Sequence, residues 1–245
     1  MRRFYLPPEQ MGKVESVITG SDAHHLRDVL RLQAKDQIVV FDGSGLEYRA
    51  QVVSISSRKV RIEILGQLKG EAESTLDLTI AQGYLKDKKM DGLVRQLTEL
   101  GVGRWIPFLS RRSVPEPDQQ RLHRRYQRWR KISLEALKQC GRNRTMVIEP
   151  VVSYADALHQ GACYDAKIIF WEASKHTKAM NQVVPTRPSS IFIMVGPEGG
   201  FEKDEISKAE KEGFALMGLG PRILKAETAA LAAAVIAQFV FGDMG

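Results

Sequence analysis

Two apolar runs near the end of this chain each open into a glycine turn, and that pairing restricts the fold more than any other feature. Ile191-Phe192-Ile193-Met194 leads into Val195-Gly196-Pro197-Glu198-Gly199-Gly200. Phe214-Ala215-Leu216-Met217 leads, past Gly218, into Leu219-Gly220-Pro221-Arg222-Ile223-Leu224-Lys225-Ala226-Glu227-Thr228. Each reads as a buried strand, a backbone-accessible loop and then a helix. In an open α/β sheet, ligands sit at such strand ends. Two loops together therefore predict a site for a small molecule with polar edges. Neither loop is G-x-G-x-x-G or a P-loop, so dinucleotide or triphosphate binding does not follow. Gly196, Gly199 and Gly220 are expected either to take positive φ or to sit where a Cβ would strike the ligand.

The rest of the chain reads in two parts. Gln37–Phe41, Leu46–Ile55 and Lys59–Leu65 predict strands, and Asp22–Leu32 predicts a short helix capped by Asp22. The polar stretch from Gly66 to Thr75 reads as a linker. Beyond it, strands at Leu76–Tyr84, Trp105–Leu109, Ala166–Trp171, Ile191–Val195 and Phe214–Leu219 alternate with helices. The helices are Lys86–Leu100, Asp118 to Cys140, Lys203–Glu212 and Thr228–Phe241. That alternation predicts a mostly parallel sheet covered on both faces. No apolar run reaches the roughly 20 residues of a membrane span. The basic N-terminus has no apolar stretch behind it, which argues against a signal peptide. Cys140 and Cys163 show no metal-ligand spacing, so a reduced cytosol, no metal and no disulfide are expected. His24 and His25 are adjacent and do not face one another on a helix, which points to packing or capping.

The net charge is +7, and its location is informative. Arg111–Arg144 holds eleven Lys/Arg against three Asp/Glu, a net of +8, so the remainder sums to about −1. Such a concentrated field suits a polyanion. On the helix to Cys140, Leu122, Tyr126, Trp129, Ala136 and Cys140 form the inward face. Arg121, Arg124, Arg125 and Arg128 point elsewhere, either as RNA or DNA contacts or as a solvated face. The final helix is nearly apolar all round, which suits a central core helix or a subunit interface. Glu227 precedes it, where the helix dipole favours negative charge. It reads equally as a functional carboxylate or as a cap.

Taken together, these residues resemble the RsmE-type ribosomal small-subunit RNA uridine-N3-methyltransferases of the SPOUT superfamily. The matching stretches are His25…Val29-Leu30-Arg31, Lys86…Lys89-Met90…Gln96-Leu97-Thr98-Glu99-Leu100-Gly101-Val102, Gln139-Cys140-Gly141-Arg142-Asn143-Arg144, and both glycine loops with Glu227-Thr228. They run in the family's order over nearly the whole chain. One departure is Lys225-Ala226, where arginine and threonine are common; lysine keeps the charge without the planar fork.

The resemblance implies an RNA-binding PUA-like β-barrel over residues 1–70 and a trefoil-knotted α/β domain over 75–245. It also implies a homodimer in the cytoplasm. The implied cofactor is S-adenosylmethionine, held by Trp171, Glu172, Val195, Gly196, Glu198, Gly199, Leu219, Gly220, Ile223, Leu224 and Ala226. The implied reaction is in-line attack of a uridine N3 in small-subunit (16S) ribosomal RNA on the donor's methyl group. Glu227 or Glu198 is the candidate base, and Arg142 is a further catalytic candidate. Arg3, Arg31, Arg142 and Arg144, with Arg121, Arg125 and Arg128, are the candidate RNA contacts. A non-catalytic RNA-binding factor with a decayed pocket, or a small-molecule α/β enzyme, would be the alternatives. Intact glycines disfavour the first, and the arginine segment disfavours the second.

Overall fold

The computed structural model describes residues 2–11, 15–70, 72–86, 88–113, 118–174, 180–184 and 187–245. The positions between 113 and 118, which fall in the basic segment, lie outside the described residues. The chain divides into two compact units. The first joins residues 1–73 to 137–145; the second joins 74–136 to 146–245.

The first unit is a five-stranded sheet. Its strands are β1 (Arg3–Tyr5), β2 (Glu15–Thr19), β3 (Gln37–Phe41), β4 (Glu47–Ile55) and β5 (Lys59–Leu68), in the order β1-β3-β4-β5-β2. β1 runs parallel to β3 and the other pairs are antiparallel. Inward residues of alternate strand positions, Ile38 and Val40, Ala50 and Val52, Val60 and Ile62, close its core with Phe4, Leu6 and Leu26. The helix expected at Asp22–Leu32 is different. An α-helical turn, α1 (Gly20–His24), passes into a π-type turn over His25–Val29. The wider turn closes on Leu30 N–H donating to His25 O at 2.9 Å. Arg31 then takes φ 51°, which ends the helix. His24 pairs with Asp28, and His25 packs against Phe4.

The segment 137–145 is part of this first unit. Glu73 Oε1 accepts the backbone N–H of Asn143 (2.8 Å) and of Arg144 (2.7 Å). Glu73 Oε2 accepts Arg142 Nε at 3.1 Å. Lys138 Nζ donates to both oxygens of Asp22 at 2.9 Å.

The second unit carries a sheet whose strands all pair in parallel. They are β6 (Asp77–Gly83), β7 (Arg104–Leu109), β8 (Val147–Ile148), β9 (Val152–Ser153), β10 (Ala166–Phe170), β11 (Ser190–Val195) and β12 (Ala215–Met217). The order is β12-β10-β11-β6-β7-β8, with β9 also on β7. Period-2 alternation splits each central strand between two cores. Ile191, Ile193 and Val195 face one, with Leu78, Ile80, Ile168 and Phe170. Phe192 and Met194 face the other, with Ala81, Ile106, Phe108 and Ile169. The first face is covered by α2 (Lys89–Glu99) through Met90, Leu93, Val94 and Leu97, and by α7 (Ala226–Phe241). Trp129 of α3 (Gln119–Cys140) joins that core. The second face is covered by α4 (Tyr154–Gln160) and α6 (Lys203–Lys211). A short α5 (Met180–Val183) adds Met180 to the first core. Each fully buried Ile or Leu here contributes about 1.5–3 kcal/mol.

α3 starts at its predicted cap and α2 ends at its predicted glycine, although α2 starts at Lys89 rather than at Lys86. Asp118 Oδ1 accepts the Arg121 N–H at 2.7 Å, capping α3. Gly101 takes φ 79° after α2. From edge strand β12 the chain returns across the sheet, so that α7 packs on β6 and β11 in the sheet centre. The second unit is thus an α/β domain with a parallel sheet, as the sequence predicts, and its last helix crosses back over the sheet centre. α7 buries Ala226, Ala230, Ala233, Ala234 and Ala237 but leaves Val235, Phe239 and Val240 exposed, so it is covered on one side only. Among the described residues, no helix is long and apolar enough to cross a membrane.

Candidate active site

Neighbouring strands β12, β10 and β11 end together, and their continuations, with Lys89 of α2, wall a cavity of about 530 Å³. Gln82, at the end of β6, is fully buried. Its Nε2 donates to Gly83 O and Gly196 O, both at 3.0 Å, and so ties two strand ends together. The approach is close: a Cβ on Gly83 would stand 2.4 Å from Pro197 N. Beyond β11, Gly200 N–H donates to Pro197 O at 3.0 Å, forming a tight turn. Beyond β10, Trp171 N–H donates to Met217 O at 3.0 Å and sets the path of Glu172.

All eleven residues expected to hold the cofactor line this one cavity: Trp171, Glu172, Val195, Gly196, Glu198, Gly199, Leu219, Gly220, Ile223, Leu224 and Ala226. Phe170, Pro197, Gly200, Arg222, Lys225, Ala229 and Lys89 complete the wall. The glycine expectation divides. Gly220 has φ 81°, and so favours glycine. In the first loop the positive φ, 67°, falls on Gly200. A Cβ on Gly199 would stand 2.9 Å from Arg112 Cβ, and one on Gly196 would stand 3.2 Å from the Phe201 ring. Those two glycines are thus set by protein neighbours.

Lys89 was not among the expected site residues, yet it organises the charged end of the cavity. Its Nζ donates to Glu198 Oε1 at 3.0 Å and lies 3.8 Å from Glu227 Oε1. The Lys86 backbone N–H also donates to Glu198 Oε1, at 3.2 Å. Burial acts to raise the Glu198 carboxyl. The Lys89 hydrogen bond and backbone N–H donors outweigh it, and the group falls below the usual glutamate value. Lys89 is raised in turn, chiefly by its hydrogen bond to Glu198. Glu227 occupies the second position of α7, whose N-cap is Lys225. Its Oε2 is buried without a hydrogen-bond partner among the described residues.

This lining fits S-adenosylmethionine. Phe170, Leu219, Leu224 and Ala229 offer apolar surface to a purine, and the glycine loops offer backbone donors and acceptors. Lys89, Lys225 and Glu172 offer both signs of charge to a zwitterionic tail. The orphaned carboxylate oxygen of Glu227 is the kind of buried acceptor that a ligand donor completes.

The expected RNA residues fall into different settings. Arg142 is 3% exposed, belongs to the first unit, and is spent on Glu73 (Nη2–Oε2 3.0 Å). Arg3 is also held internally: it pairs with Glu47, donates to Arg142 O at 3.0 Å and stacks over Phe41. Arg31 and Arg144 are exposed. On α3, Arg121 and Arg128 are exposed and Arg125 is half-buried over the Tyr84 ring. Arg128 Nε bonds Asp91 at 2.7 Å.

Known proteins carry the same architecture. The profile described as "RNA methyltransferase domain" matches residues 72–238, and that described as "RNA methyltransferase PUA domain" matches 18–65. Ribosomal RNA small subunit methyltransferase E of Bacillus subtilis (strain 168) is 33% identical over 219 residues, covering 87% of this chain and 86% of that protein. The crystal structure of a ribosomal RNA small subunit methyltransferase E from Neisseria gonorrhoeae bound to S-adenosyl methionine superposes with a TM-score of 0.88 at 31% identity, covering all of both chains. A Legionella pneumophila methyltransferase in complex with the bound cofactor SAM gives a TM-score of 0.89 at 28% identity, covering 98% of each chain. With more than half its length matched by one profile and its paired loops at one cavity, this chain belongs to the RNA methyltransferase family.

Proposed function

We propose that this chain methylates N3 of a uridine in small-subunit (16S) ribosomal RNA, using S-adenosylmethionine. The Lys89–Glu198–Glu227 cluster at the mouth of a glycine-walled cavity carries the reading. S-adenosylmethionine supplies an activated methyl group on a sulfonium. The protein's share is then to position the base and to take its N3 proton. Uridine N3–H is a weak acid. We assign Glu227 Oε2 to accept that proton, and Lys89 to stabilise the negative charge left on the ring. Glu198 holds Lys89 in place. Gly196, Gly199, Gly200 and Gly220 shape the cofactor's bed, with Trp171, Glu172, Leu219, Ile223 and Leu224 around it.

Residues 1–70, completed by 137–145, act as the RNA module, and the rest of 75–245 acts as the methyltransferase domain. Exposed arginines Arg31, Arg121, Arg128 and Arg144 contact RNA, whereas Arg3 and Arg142 brace the first unit. The exposed apolar side of α7 forms a homodimer interface, since soluble oligomers most often close by a twofold axis. The enzyme works in the cytoplasm, where its substrate is made.

The test is transfer of labelled methyl from S-adenosylmethionine to small ribosomal subunits and to free small-subunit RNA, with the methylated base identified by mass spectrometry. Label on a uridine N3 is expected. Cofactor binding without transfer to either substrate would instead favour a non-catalytic RNA-binding factor. Light scattering at micromolar concentration should give twice the chain mass.

A further inference from the structure

A second cleft, of about 840 Å³, adjoins the first. It is lined by Lys86, Lys88, Lys89, Asp91, Arg125 and Arg128, five cations and one carboxylate. Lys89 belongs to both linings. The two are tied by the Lys86 N–H bond to Glu198. They sit at the ends of adjacent parallel strands, β6 and β11.

The charges in this cleft are unevenly committed. Asp91 is taken by Arg128, and Lys89 is taken by Glu198. The Lys86 and Lys88 side chains are exposed, with no carboxylate partner among the described residues. Arg125 is fixed with its guanidinium 5.6 Å from the Tyr84 ring centre, a cation–π contact that holds the side chain in place. Concentrated positive charge in a concave site is strongest for a polyanion. The occupant must also present an uncharged base to Lys89, beside the glycine cavity. A single RNA strand satisfies both conditions, because phosphates flank every base.

We propose that Lys86, Lys88 and Arg125 grip the phosphates flanking the target nucleotide, and so deliver its base to Lys89 at the junction of the two cavities. The proposal rests on the methyltransferase reading and adds the path by which the substrate reaches the site. It makes the cleft a specificity element: it favours a nucleotide whose neighbouring phosphates are unpaired and can bend into it.

The test uses the full chain and protein-free small-subunit ribosomal RNA, with binding measured by filter retention over a range of salt. K86A/K88A should lower the slope of log affinity against log salt by about 1.4, two phosphates at roughly 0.7 each. Its KM for RNA should rise tenfold or more. K86R/K88R should restore both. Affinity for S-adenosylmethionine without RNA should not move, which also verifies that the variant is folded. An unchanged slope in a folded K86A/K88A protein overturns the proposal. If binding shows the expected loss while the wild-type chain methylates no RNA, the cleft stands and the methyltransferase reading falls.

Discussion

Gly83 and Pro197 lie so close that a side chain at 83 would begin 2.4 Å from the Pro197 nitrogen. This close approach joins β6 to the loop after β11 across more than a hundred residues. Because the obstructing atoms are backbone and ring, neither side can yield cheaply. Gly83→Ala should cost about 1–3 kcal/mol by overpacking, and should weaken S-adenosylmethionine binding at least tenfold. Calorimetry and thermal melting read both. Wild-type affinity in the alanine variant would mean that this approach does not shape the cavity.

Gly220→Val places a β-branched residue at φ 81°, a strained conformation. Gly199→Val would press on Arg112. Each should abolish cofactor binding while the far-ultraviolet circular dichroism of the sheet and helices persists. Retained affinity in either folded variant would remove that loop from the site.

Glu227→Gln keeps the shape and removes the charge. Turnover should fall 10²-fold or more if Glu227 takes the N3 proton, with S-adenosylmethionine and RNA still bound. If its carboxylate serves the helix start instead, turnover should survive and stability should drop by about 0.5–2 kcal/mol.

The Glu198 carboxyl gives a pH signature. Its folded value is depressed, so its contribution is complete above the unfolded-chain value of about 4.3 and is lost as pH falls through the folded value. The melting-temperature gap between wild type and Glu198→Gln should therefore hold near neutrality and shrink below about pH 4. A gap that widens on acidification would contradict the Lys89–Glu198 geometry.

Arg121, Arg125 and Arg128 changed together to Ala should flatten the salt dependence of RNA binding, by roughly 0.7 for each phosphate no longer neutralised. Cofactor affinity should be untouched. An unaltered slope would make them a solvated face.

What could be read in the sequence was local. Continuous apolar runs such as Ile191–Val195 and the apolar face of Met90, Leu93 and Leu97 placed the central strands and α2 closely. Both glycine loops announced the cavity because glycine and strand end are adjacent in the chain. The failures were non-local. β1 is three residues long, and among the described residues it pairs with β3, more than thirty residues away. β2 pairs with β5 rather than with any neighbour in sequence. Lys89 stood in a stretch that matches the family but carried no role of its own, because its partners lie 109 and 138 residues further on. Arg142 looked like an RNA contact because Glu73, which holds it, is 69 residues earlier.

The route of the chain between its units has an evolutionary and practical consequence. It crosses after Glu73, after Ala136 and after Thr145. A gene cut at the first crossing would yield a small domain that lacks residues 137–145, leaving Glu73 without Arg142 and Asp22 without Lys138. The front module is therefore not detachable cargo that one fusion or fission event could add or remove. Residues 1–73 expressed alone should fold less stably than the same residues joined to 137–145.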